Sequence, residues 1–80
     1  VINIQPLDSL RAAATGDFVL TADQVTPLIR ALTAHGVTVT AVHSHLTAST
    51  PTLLFVHFWV VDSARQVGEG LGAALAVTRR

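Results

Sequence analysis

The chain has 80 residues and a mass of 8.4 kDa; it is 50% hydrophobic, 12% charged and 5% aromatic, with five arginines balanced by five acids and no cysteine. That composition excludes a disordered tail, a disulfide-stapled scaffold and a basic nucleic-acid-binding surface. A domain of this size buries only about 60% of the surface its unfolded chain exposes, and its stability is expected at about 4–12 kcal/mol, so self-association is a natural way to cover more apolar area.

In chain order, Val1-Ile2-Asn3-Ile4-Gln5 alternates apolar and polar residues before Pro6, as a short edge strand does. Residues 11–20 conflict locally: three alanines favour helix, whereas Gly16 and the Phe18-Val19-Leu20 ending favour strand, and the spacing predicts a strand over 12–20. Thr21-x-x-Gln24 has the form of a capping box, and Val25, Leu28, Ile29 and Leu32 follow at helical spacing. A helix is expected over 22–35, with Pro27 near its start and Gly36 as its stop.

Residues 37–46 and 52–61 are β-rich runs on either side of Thr47-Ala48-Ser49-Thr50-Pro51, which predicts an antiparallel hairpin with a five-residue loop. The second run is apolar on both faces and so belongs in the middle of a sheet. Ser63-x-x-Gln66 starts a last helix over 63–77 with a buried stripe of Ala64, Val67, Leu71 and Leu75. The expected fold is α+β: an antiparallel sheet with two helices on one face, in the order β-β-α-β-β-α, forming one small domain over 1–80. Such a sheet leaves its other face bare, and that face is the natural surface for a homodimer. The apolar stretch Leu53 to Val61, interrupted by His57, is far short of the roughly 20 residues that span a bilayer, so no membrane span is expected. The absence of an initiator Met and of a basic leader region points to a processed product or a piece of a longer chain.

Histidines carry the concentrated chemistry. His43 and His45, two apart on one strand, point to the same sheet face, and the odd-length loop brings His57 to that face opposite 41, 43 or 45. Cross-strand neighbours lie about 4.5–5.5 Å apart and diagonal ones about 7–8 Å, so three imidazole nitrogens can meet one zinc or copper ion and leave a position open for water or a small-molecule substrate. The competing reading is an interaction or ligand-binding domain in which the same histidines pack beside Phe55 and Trp59, which share the face of His57 and line a pocket there. Asp17 either supplies a carboxylate to the site, as a ligand or by orienting a histidine, or is a turn or bulge acid. Two histidines with Asp17 also give a non-haem iron arrangement, a weaker alternative because no carboxylate follows the histidines at fixed spacing. His35 belongs to a helix C-terminus, and Asp23 and Asp62 to helix starts. Gly68-Glu69-Gly70-Leu71-Gly72-Ala73 imitates a dinucleotide-binding turn but lies inside a helix, with no acid about 20 residues on, so no nucleotide cofactor is expected and close helix packing is.

The segment Gly16-Asp17-Phe18-Val19-Leu20, the helix with Pro27, Ile29-Arg30-Ala31-Leu32 and Ala34-His35-Gly36, the triplet His43-Ser44-His45, and His57-Phe58-Trp59 together resemble the LppY/LpqO family over roughly residues 12–78. The chain differs from that pattern at Ser44 and Leu46, where the family carries Asn and Met, and at Gln24, where an acid is common. The resemblance implies a bacterial source, a cell-envelope location, and membership of His43, His45 and His57 in one signature.

Overall fold

A computed structural model describes residues 1–44 and 53–79. The elements are β1 (Ile2–Pro6), β2 (Arg11–Leu20), α1 (Ala22–Ala34), β3 (Thr38–Ser44), β4 (Leu54–Ser63) and α2 (Ala64–Thr78), so the fold is α+β in the order β-β-α-β-β-α. The four strands form one antiparallel sheet in the order β1-β2-β4-β3. β4, apolar on both faces, occupies an inner position, and the alternating β1 lies at an edge. The β1–β2 turn is fixed by Asp8, whose Oδ1 accepts from the Leu10 and Arg11 N–H groups at 2.8 and 2.9 Å while Oδ2 accepts from Arg11 Nε at 2.9 Å. β2 is strand despite its alanines because it is paired along its length with β4 and over Ala12–Gly16 with β1. Ladder bonds on both sides outweigh a helix propensity of a few tenths of a kcal/mol per residue. The alanines serve the packing instead: Ala12 and Ala14 are 5% and 1% exposed, and their small side chains let the helices approach the sheet.

Even-numbered residues of β2 and β4, among them Phe18, Leu20, Val56 and Phe58, face the helices and form the core with Leu28 and Leu32 of α1 and Val67 and Leu71 of α2. α1 begins where the Thr21 N–H donates to Gln24 Oε1 at 3.2 Å, and ends before Gly36, whose φ of 74° lies in the left-handed region that favours glycine. Pro27 lies inside this helix. Its missing N–H deprives only the Asp23 carbonyl of a helical partner. Ser63 caps α2 through its Oγ, which accepts from the Gln66 N–H at 3.1 Å.

The buried stripe of α2 is Val67, Gly70, Leu71, Ala74 and Val77, which corrects the expected one: Ala64 and Leu75 are exposed. Each four-residue step turns the helix about 40° past a full revolution, so Leu75, two such steps beyond Val67, leaves the core face, where Ala74 stands instead; Ala64 is the first residue of the helix. Gly70 is buried against the end of α1, where a Cβ would lie 3.0 Å from His35 Cβ and 3.2 Å from Val37 Cγ2. Nothing approaches Gly68 or Gly72 within 4 Å, so close packing accounts for only one of the three helix glycines. No helix among the described residues is long and apolar enough to cross a membrane.

Candidate functional site

With both helices on one side, the odd-numbered residues of β2 and β4 project from the other. The register arranges them in rows across the sheet: Val19, Phe55 and His43; Asp17, His57 and Ala41; then Asn3, Thr15, Trp59 and Thr38. A register shift between Val39 and Ala41 inserts Thr40 as an extra residue in β3. An open cleft of about 580 Å³ runs over the middle of this face, lined among others by Asn3, Thr15, Asp17, Thr40, His43 and His57.

His57 pairs with Ala41, one of the three expected partners, which sets His43 diagonally across from it. The two imidazoles turn toward each other, with His43 Nε2 and His57 Nε2 2.8 Å apart and ring centroids at 4.9 Å. At that separation one nitrogen donates a proton and the other accepts it. Phe55 stacks on His43 with centroids 5.6 Å apart and planes within 2°, so it holds one imidazole from the side, and Trp59, in the row whose Asn3 and Thr15 line the cleft, has 48% of its surface exposed. His45 lies outside the described residues, as does the loop expected at 47–51.

Asp17 is neither a turn acid nor a bulge acid: it lies inside an unbroken β2–β4 register, directly opposite His57. The strand continues through it because Gly16 and Phe18 pair in sequence with Phe58 and Val56. Asp17 Oδ1 accepts from the Val1 nitrogen at 2.9 Å. That hydrogen bond holds the carboxyl below its usual range, against the opposing effect of burial, and the charges of the Val1 amine and of His57 add to it. Asp17 and His57 are thus direct cross-strand neighbours on the open face. Among the described residues no three metal-ligating side chains form a group; His43 and His57 meet, with Asp17 one strand away.

The remaining residues singled out by sequence lie elsewhere. His35 ends α1, its N–H donating to the Leu32 carbonyl at 3.1 Å, and Asp23 and Asp62 flank the helix starts, accepting from Thr21 Oγ1 at 2.6 Å and the Ser63 N–H at 2.7 Å. The glycine-rich motif is interior to α2. Sequence reasoning missed Asn3, Thr15 and Thr40 as cleft residues. The alternation of β1 put Asn3 on the polar side of a strand, but only its pairing with β2 brings Asn3 opposite Thr15.

No curated protein and no solved structure matches the chain significantly. A family model does: it covers residues 1–77, from β1 into the last turn of α2, and includes every cleft residue named above. The chain therefore belongs to the family described as Domain of Unknown Function (DUF1259).

Proposed function

We propose that this chain is a small metal-binding domain in which His43 and His57, with His45 as the third ligand, hold a zinc or copper ion on the open sheet face. The observation that supports the reading is the 2.8 Å approach of His43 Nε2 and His57 Nε2. Two nitrogens each about 2.0–2.1 Å from one ion stand about 2.9 Å apart at a right angle and about 3.3 Å apart in a tetrahedron, so exchanging the shared proton for a cation needs a shift of a few tenths of an ångström. The charge of Asp17, opposite His57, favours a cation there. A three-imidazole site keeps a position open for water, whose proton the ion makes easier to lose, so catalysis at that position is the activity this reading allows. Iron held by two histidines and Asp17 is the lesser variant. The resemblance to the LppY/LpqO family, with a bacterial cell-envelope setting, belongs to the same proposal.

Calorimetric titration with zinc and with copper tests it. The parent chain and His35→Ala are expected to bind alike, and His43→Ala, His45→Ala and His57→Ala to lose affinity by orders of magnitude. Equal weak binding by all five proteins overturns the reading and leaves the histidines as packing residues. One observation favours a second reading, a homodimeric interaction domain: Val19, Trp59 and Val61 are 50%, 48% and 39% exposed on the open face. Light scattering that gives twice the chain mass at micromolar concentration, and the single mass for Trp59→Arg, is the result expected of it.

A further inference from the structure

We infer that the open cleft binds a neutral polyhydroxylated ligand, a saccharide ring stacked on Trp59 with its hydroxyl edge over Asn3, Thr15 and Thr40. The inference rests on the cleft being a binding site, as the metal proposal does, and needs no metal to be held. Its basis is the row beside the histidines. Trp59 is nearly half exposed and pairs in register with Thr15 on one side and Thr38 on the other, while Asn3 stands beyond Thr15. A half-exposed indole thus shares one row with an amide and hydroxyls that both donate and accept hydrogen bonds.

Charge removes the other ligand classes. Among the described residues no lysine or arginine side chain lines the cleft, and its formal charges, the Val1 ammonium and the Asp17 carboxylate, are paired with each other at 2.9 Å, so a phosphorylated or carboxylated ligand would have to compete with Asp17 for its counter-charge. Arg11, also odd-numbered on β2, is engaged by Asp8 at 2.9 Å near the far end of the strand. A wholly apolar ligand would dry Asn3, Thr15 and Thr40 without giving them partners. A pyranose fits both halves: its C–H face carries the slight positive charge that the negative face of an indole attracts, and its hydroxyls exchange hydrogen bonds at the edge. Because the cleft is open on one side, binding is expected to be weak, in the millimolar to high-micromolar range typical of shallow contact.

The chain has one tryptophan and no tyrosine, so its intrinsic fluorescence reports Trp59 directly. Titration with cellobiose, maltose and N,N′-diacetylchitobiose, each with chelated and with zinc-loaded protein, is expected to give a saturable emission change for at least one sugar in the chelated form. Glucose 6-phosphate and glucuronate are expected to give none. Thr15→Val keeps the fluorophore and the β-branched shape, and is expected to weaken binding roughly tenfold; Asn3→Ala, on the edge strand, is a second variant should Thr15→Val lose its fold by circular dichroism. No saturable change with any of the three sugars, or an unchanged affinity in the folded variants, overturns the inference. So does an emission that follows protein concentration rather than sugar, since a second copy then covers Trp59. Failure of the calorimetric metal titration leaves these sugar results unaffected, so the two proposals fail separately.

Discussion

Glycines show how far one atom decides local structure. At Gly16 a Cβ would run into the Val1 carbonyl oxygen and lie 3.0 Å from Ile2 Cα and 3.1 Å from Phe58 Cε1, so the edge strand and a core ring both occupy the space a side chain needs. Gly16→Ala is expected to lower stability by about 1–3 kcal/mol in urea denaturation, as overpacking does. Within α2, Gly68→Ala and Gly72→Ala are each expected to raise the melting temperature through a gain of about 0.4–1 kcal/mol, because nothing stands near either site and the unfolded chain loses freedom. Gly70→Ala, two residues from each, is expected to lower it. A single charge makes a second residue-scale case. The Leu10 N–H, then the Arg11 side chain and N–H, hold the Asp8 carboxyl below its ordinary value. A depressed folded value means that the contribution is complete above the unfolded carboxyl value of about 3.9 and is lost as pH falls through the folded one. Thermal melts from pH 5 downward are expected to fall less steeply for Asp8→Asn, which keeps an acceptor for the turn without the titrating charge.

The elements are held by a few fully buried contacts rather than by propensity. α1 places Leu28 and Leu32, both at 0% exposure, against the sheet. Leu32→Ala removes that anchor and leaves a cavity, so a loss of about 2–5 kcal/mol in urea denaturation is expected, a large share of what an 80-residue domain has. In the β3–β4 pair, the register below Thr40 decides the chemistry: Ala41 opposite His57 and His43 opposite Phe55 put the two imidazoles on one diagonal. A slip by one residue would turn His43 to the helix side and abolish the site.

At the scale of the whole molecule, the sheet has one dry face and one wet one. The dry face carries the fold and the wet face the cleft, so a ligand held there stabilises the whole domain by mass action. If zinc or copper occupies the histidines, a free-metal concentration one hundred times the dissociation constant adds about 2.7 kcal/mol, which for a domain of this size raises the melting temperature by roughly 10–20 °C. Scanning calorimetry is expected to show that rise in the parent chain, its reversal by chelator, and its absence in His57→Ala.

The β-β-α-β-β-α order was legible in the residues themselves, because hydrophobic period, capping pairs and Gly36 are local signals that act within one or two turns. So was the sharing of one sheet face by His43 and His57, which strand parity and an odd loop length give for a regular hairpin, although their contact depends on the register that pairs Ala41 with His57. The β1–β2–β4 pairing was not, since β2 could pair with several partners of similar apolar content and only simultaneous packing under both helices selects one. That selection sets Asp17 opposite His57 and Asn3 opposite Thr15. It also fixes the rotation of α2, in which Gly70 faces inward and Ala64 and Leu75 do not, with His35 and Val37 close enough to Gly70 that a Cβ there would be a tight contact. The sequence determined which residues share a strand face, a property of neighbouring backbone bonds. Only the tertiary structure decided which strands lie side by side, because that depends on the summed burial of all six elements.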